Sequence, residues 1–263
     1  MTDRKVMFFD IDGTLVREGA EKIDADVLDA IQTARLNGHL MFINTGRTMA
    51  NMTEALLNAG FDGFVCACGS YIMIDGKRVL YHHTPDDVCA LVRPLAENCD
   101  LDIIFESWHG IYYDHSKLKA EASKKLADTL EGRYVLFKFV PEGLNFDKFI
   151  TWDRPGCDLK RFINELSPYY DYVDRGHGFS EFVPAGFSKA TGIRFVLDRF
   201  GLPLENSYAC GDSTNDLTML RYVKHSIAMG NSSPRSLFDE VEYVTSPIDK
   251  GGIIEALCHY GFI

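Results

Sequence analysis

The chain has 263 residues, 46% of them hydrophobic, which suits one large or two modest domains and excludes wholesale disorder. It carries 27 Lys and Arg against 38 Asp and Glu, a formal net charge of −11, so nucleic acid and anionic membrane surfaces are poor partners for the chain as a whole.

Val6-Met7-Phe8-Phe9 reads as a strand buried on both faces. It ends in Asp10 and Asp12, after which Gly13 and Thr14 turn the chain. The two acids therefore stand at or just past a strand's carboxyl end, the edge where open α/β sheets bind ligands. Paired there, they need a cation or a shared proton nearby. The charged residues 1–5 precede too short an apolar run for a signal sequence, and no later stretch approaches a membrane span, so a cytoplasmic protein is expected. Asp24 can cap a helix that runs to about residue 37, with Val27, Leu28, Ile31 and Ala34 as its apolar stripe and Gly38 as its stop. Residues 39–43 form a second short buried strand ending at Asn44-Thr45-Gly46-Arg47, followed by a helix over about 49–58 that Gly60 stops. A third strand is expected at 64–67. Cys66 and Cys68 alternate as along a strand and would share one face, as buried thiols with a soft-metal site as the alternative; the seven cysteines include no C-x-x-C pair. Residues 71–74 and 77–81 flank Asp75-Gly76, a hairpin signal. Strands alternating with helices imply a parallel sheet with right-handed crossovers.

From about Thr84 the alternation stops. A helix is expected from Pro85 to about residue 98, antiparallel strands at 101–105 and 110–113, and a helix near 117–130. Residues 131–145 give no clear element. A strand at 148–152, a helix near 158–166 and strands near 169–173 and 179–183 complete an α+β insert, since βα alternation resumes at Ser188. Ser188 can cap a helix that carries Lys189 and ends at Gly201. A strand at 206–210 leads into Gly211-Asp212-Ser213-Thr214-Asn215-Asp216, then a helix near 217–222, a strand at 226–229, a turn at Gly230-Asn231 and a last helix at about 252–260. The fold class is α/β: a Rossmann-like parallel sheet core, residues 1–83 and 185–263, with an inserted α+β cap domain, residues 84–184.

Three strand ends thus carry polar clusters: Asp10 with Asp12, Thr45 with Gly46, and Asp212 with Asn215 and Asp216. Adjacent strand ends share one edge of a parallel sheet, so these clusters should converge. Four carboxylates in one crevice call for a hard cation with oxygen ligands, and Mg²⁺ suits a site where phosphate supplies another ligand.

In sum, Asp10-Ile11-Asp12-Gly13-Thr14, Thr45-Gly46-Arg47, Lys189 and Gly211-Asp212-Ser213-Thr214-Asn215-Asp216 resemble the four motifs of the haloacid dehalogenase superfamily, in order and on the expected element types. The insert resembles a type IIB cap, which points to the Cof-like phosphatases of sugars and small metabolites. The resemblance spans essentially the whole chain. It implies that Asp10 is a nucleophile forming an aspartyl-phosphate, that Asp12 is the general acid and then base, and that Thr45, Gly46, Lys189 and Asn215 hold the phosphoryl group. It implies Mg²⁺ bound by Asp10, the Asp12 main-chain carbonyl, Asp212 and, directly or one shell out, Asp216. Arg47 is a candidate substrate contact. An acid two residues after the nucleophile suits phosphoester hydrolysis; dehalogenases lack it and pump ATPases carry threonine there. The chain departs from the common pattern at Asn44, where alanine is usual, and at Cys68-Gly69-Ser70, where Asn-Gly-Ala is usual.

The expected activity is Mg²⁺-dependent hydrolysis of a small phosphorylated metabolite, by a monomer or weak homo-oligomer with no nucleic-acid or membrane partner. A sugar phosphomutase and a non-enzymatic phospho-acceptor receiver module are the alternatives. The acid at Asp12 and the long insert disfavour the receiver. In the insert, Trp108-His109-Gly110 and Arg175-Gly176-His177-Gly178 stand as at hairpin tips and are candidates for reading the leaving group.

Overall fold

The first strand, β1 (Val6–Phe9), is buried at every position and lies at the middle of an eight-stranded sheet. In chain order it is followed by α1 (Ala25–Leu36), β2 (Leu40–Asn44), α2 (Glu54–Leu57), β3 (Gly63–Cys66), β4 (Tyr71–Ile74) and β5 (Lys77–Tyr81). Next come α3 (Asp86–Asn98), β6 (Asp102–Glu106), β7 (Ile111–Tyr112), α4 (Glu121–Leu130), β8 (Leu136–Phe137), β9 (Lys148–Trp152), α5 (Leu159–Leu166), β10 (Tyr170–Asp174) and β11 (Phe179–Pro184). The chain closes with α6 (Lys189–Phe200), β12 (Ser207–Ser213), α7 (Leu217–Leu220), β13 (His225–Ser233), β14 (Tyr243–Val244) and α8 (Gly252–His259). The structure, a computed structural model, describes residues 4–17, 19–20, 22–131 and 134–263.

The chain divides into two units. The first runs to Gly46 and resumes over Thr53–Leu80 and Ser188–Ile263; the second holds Arg47–Met52 and Tyr81–Phe187. In the first, the strand order is β14-β13-β12-β1-β2-β3-β4-β5. The pairs from β14 to β3 are parallel and β3–β4 is antiparallel. Val6, Phe8, Phe42, Val65 and Ala209 on one face pack against Ile193, Val196 and Leu197 of α6. Full burial of a large apolar side chain contributes about 1.5–3 kcal/mol, so this layer holds α6 firmly on the sheet.

Local chemistry departs from the sequence expectation at several points. Asp24 stands at the N-cap of α1, but its carboxylate takes Arg17 and caps no helix N–H. The expected helix at 49–58 is broken: a 3₁₀ turn, Met49–Asn51, ends at extended Met52, and Thr53 caps a fresh start by accepting the Leu56 N–H at 3.4 Å. Cys66 and Cys68 do not share a strand face. The chain must reverse to pair β3 with β4, and Cys68 lies in the connecting turn with φ +53°. The strand expected to end before Gly230-Asn231 continues through them as β13, across a register shift against β12. The hairpin at Asp75-Gly76 forms as expected, both residues having positive φ.

The second unit is a six-stranded sheet in the order β10-β11-β9-β6-β7-β8, antiparallel except for the β7–β8 pair. Helices α3 and α5 cover one face over Phe105, Phe146, Phe149 and Phe182; α4 covers Ile104, Ile150 and Trp152 on the other. Helix α4 begins four residues later than its pattern suggests. The buried Asp102 carboxylate takes the N–H groups of Lys119 and Ala120 at 2.8 and 2.7 Å, which holds that approach outside the helix. Strand β8 fills part of the region without a sequence signal. All seven cysteines are free thiols.

Candidate active site

Parallel pairing of β1 with β12 aligns Phe9 with Cys210, so Asp10, just past β1, and the Gly211-Asp212 pair of β12 come to the same edge of the sheet. The Asp10 N–H donates to the Cys210 carbonyl at 3.0 Å, which locks that placement. Two glycines make the approach sterically feasible. Gly13 has φ +79°, and a Cβ there would meet Asp212 Oδ2 at 2.2 Å; a Cβ on Gly211 would meet the Asp216 carboxyl carbon at 2.5 Å. The 3₁₀ turn Thr214–Asp216 then folds Asp216 back, so that its Oδ2 accepts the N–H groups of Asp212 and Ser213 at 2.9 and 3.1 Å.

Lys189 enters from α6. Ser188 accepts the Thr191 N–H and Thr191 reciprocates, a capping box that fixes the first helical residue. From that residue the lysine ammonium reaches Asp10 Oδ1 at 2.5 Å and Asp216 Oδ1 at 2.6 Å, with 2% of the residue exposed. Burial and a helix N-terminus both disfavour a cation. Burial alone would push the ammonium's pKa down, but the carboxylates of Asp10 and Asp216 outweigh it and hold the group well above its ordinary value.

The acids respond in the opposite sense. Burial first, then the charge of Asp216, raises Asp10 to about 7 despite Lys189. Burial, then Asp10 and Asp216, raises Asp212 to about 7, with Thr14 Oγ1 donating to Asp212 Oδ1 at 3.3 Å. Lys189 cannot balance three carboxylates, so the cluster is short of positive charge. Asp10, Asp212 and Asp216 each bring an oxygen within 4.8 Å of the others, an all-oxygen donor set that fits a hard cation such as Mg²⁺. Both Asp216 oxygens are already engaged, which suits orienting better than direct ligation.

Of the other expected residues, Asp12 is exposed just beyond Asp10 and adds to the raising of its pKa. Thr45 is buried at the end of β2, its N–H bonded to the Val65 carbonyl at 2.8 Å, with half-buried Gly46 next to it. Asn215 is half-buried, and its Oδ1 accepts from Ser213 Oγ. Arg47 falls in the second unit, where its Nη1 donates to the Asn51 carbonyl at 3.2 Å and reaches Tyr134 Oη at 3.4 Å. Three contributors carry no role in the sequence reading. Thr14 holds Asp212. Asn44, fully buried, donates to the Lys189 carbonyl at 3.1 Å, so the departure from alanine ties β2 to α6. Asn231 donates to the Gly13 carbonyl and accepts from the Ile248 N–H, both at 2.8 Å. A polar residue closing an apolar strand was the available signal for Asn44.

A sequence model of the haloacid dehalogenase-like hydrolases matches residues 7–257. The chain belongs to this family. It is 26% identical over 265 residues to YkrA of Bacillus subtilis (strain 168), covering 99% of both chains. It is 26% identical over 275 residues to the 5-amino-6-(5-phospho-D-ribitylamino)uracil phosphatase YwtE of the same organism, covering 95% of each. Among solved structures, the HAD subclass IIB sugar phosphatase BT4131 matches with a TM-score of 0.81 at 26% identity, over 98% of this chain and 100% of that one. Within the haloacid dehalogenase-like hydrolases the chain is an enzyme of the phosphatase kind, with the α/β fold and Cof-like, subclass IIB affinity that its motifs suggested. Among the described residues, no helix is long and apolar enough to cross a membrane.

Proposed function

We propose that this enzyme hydrolyses phosphomonoesters of small metabolites through an aspartyl-phosphate on Asp10. The observation that carries the reading is the buried contact of the Asp10 carboxylate with Lys189, inside a carboxylate cluster short of positive charge. An Asp10 oxygen attacks phosphorus while the bond to the leaving oxygen breaks, and Asp12 gives that oxygen its proton. Asp12 then takes a proton from water as it attacks the acyl phosphate, releasing inorganic phosphate and restoring Asp10. Lys189 favours the ionised form of Asp10 against the burial that raises its pKa and, with Thr45, the Gly46 N–H and Asn215, binds the phosphoryl oxygens. Mg²⁺, held by Asp10, the Asp12 carbonyl and Asp212 with Asp216 orienting, would neutralise charge between the two anions.

Residues 1–83 and 185–263 are read as the catalytic core and 84–184 as a type IIB cap that decides which substrates are turned over. The net charge of −11 favours a leaving group with little further negative charge, as in a sugar monophosphate. The sugar phosphatase BT4131 supports that class. A cytoplasmic site of action fits such a substrate. The test is phosphate release from a panel of phosphorylated metabolites, with and without EDTA. Activity should vanish on chelation and return with Mg²⁺, and Asp212→Ala should raise the Mg²⁺ requirement by orders of magnitude. Full activity in metal-free buffer would refute the metal assignment.

A further inference from the structure

The segment Arg47–Met52 is grouped with the second unit, while the residues on either side, Gly46 and Thr53, belong to the first. Its only regular structure is the three-residue 3₁₀ turn Met49–Asn51, too short to hold its own position. Side chains of the second unit hold it. Asn51 Nδ2 donates to Glu106 Oε2 at 2.9 Å, and Arg47 donates to the Asn51 carbonyl. Glu106 ends β6 with 6% of its surface exposed, and Lys148 Nζ lies 3.9 Å from the same oxygen. Lys148 in turn pairs with Glu181, and Arg175 stands 3.8 Å from Glu181. A polar chain therefore runs Arg47–Asn51–Glu106–Lys148–Glu181–Arg175 over β6, β9 and β11, buried at Glu106, Lys148 and Glu181.

Stability alone does not explain this chain. Burial raises the pKa of Glu106, and a well-packed apolar set in place of buried ions is often neutral or stabilising. What the chain does provide is a fixed position for a segment that starts at the peptide bond after Gly46. We propose that Glu106 is a positioning residue for phosphoryl transfer: through Asn51 it anchors residues 47–52 and so holds the Thr45-Gly46 loop in the geometry that grips phosphate. This rests on the reading of Thr45 and Gly46 given above. Sub-ångström placement matters there, because a 1 Å error can cost about a hundredfold in rate.

The experiment measures competitive inhibition by inorganic phosphate, with p-nitrophenyl phosphate as substrate, so that recognition of the leaving group drops out. Glu106→Ala and Asn51→Ala should each weaken phosphate inhibition and raise KM about tenfold, with kcat less affected. Glu106→Gln keeps an acceptor for Asn51 Nδ2 and should restore most of the loss. The double variant Glu106→Ala/Asn51→Ala should be no worse than either single one. Unchanged phosphate inhibition in folded Glu106→Ala or Asn51→Ala, or losses that simply add in the double variant, would overturn the proposal. If Glu106→Ala does not fold, Asn51→Ala and Glu106→Gln carry the same expectations. Thr45→Ala is run alongside. Phosphate inhibition left intact there means that the phosphate-grip reading has failed; weakened there but intact in the Glu106 and Asn51 variants means that only the positioning role has.

Discussion

Asp10 and Lys189 are 179 positions apart in sequence and meet at 2.5 Å, which is possible because each is the first residue past a rigid element boundary. The acids were legible from sequence because an apolar strand ending in Asp-x-Asp has few uses in a core. Their helpers Thr14, Asn44 and Asn231 were not, because a hydroxyl or amide gains a role only from the group it meets. The same holds for the buried acid Asp147 of the second unit. Burial raises it from an ordinary 3.8 to about 7, with Tyr81 giving weaker opposing help. The native state therefore keeps a proton that the unfolded chain has lost. Stability from this residue is complete below about pH 4 and is lost as pH rises to about 7. Asp147→Asn should abolish that slope and be the more stable form at pH 8, by on the order of 2–4 kcal/mol. Urea melts of both proteins from pH 4 to 8 check this; parallel curves would contradict it.

At the scale of elements, helices with strong punctuation were readable. Ser188 and Gly201 bound α6 as the sequence suggested, and Asp158 caps α5 through the Arg161 N–H at 3.1 Å. Among the misread strands the cause is a local signal overruled by pairing. Gly230-Asn231 looks like a turn, yet Ser213 pairs with Ser233 beyond it and keeps β13 extended. The two-residue strands β8 and β14 are too short to carry any periodicity and exist only because a neighbouring edge accepts them. The cap of α6 gives a prediction at this scale, because Lys189 is its first residue. Ser188→Ala should cost about 1 kcal/mol in stability. It should also lower kcat severalfold by loosening the lysine's backbone. Urea melts and steady-state kinetics on one preparation check both; a loss of stability with unchanged kcat would show that the lysine is held by its carboxylate partners alone.

For the whole molecule, the break in βα alternation at Thr84 and its return at Ser188 are the sequence signal for an insert. The grouping of Arg47–Met52 with the second unit was not legible, since it depends on Asn51 finding Glu106 55 residues away. On the proposed function the motifs of the first unit grip only a phosphoryl group, which every phosphomonoester shares, so discrimination should lie in the second. There the sequence-picked residues occupy hairpin tips: Trp108, 43% exposed, beside His109 between β6 and β7, and Arg175 with His177 between β10 and β11. Trp108→Ala and His177→Ala should change the ratio of kcat/KM between two metabolites about tenfold while leaving turnover of p-nitrophenyl phosphate within a factor of about two. Equal effects on all substrates would place selection elsewhere.

The central claim is that the phosphoryl group passes through Asp10. Removing Asp12 as the base that activates water, by Asp12→Asn, should trap it, provided that the leaving group is good enough to depart without an acid. The protein is mixed with an activated aryl phosphate and Mg²⁺, quenched in acid, digested and mapped by mass spectrometry. One phosphoryl group on the peptide containing Asp10, accumulating in Asp12→Asn and absent from Asp10→Asn, is the predicted result. A phosphoryl group on any other residue, or sustained turnover by a folded, non-deamidated Asp10→Asn protein, would contradict it.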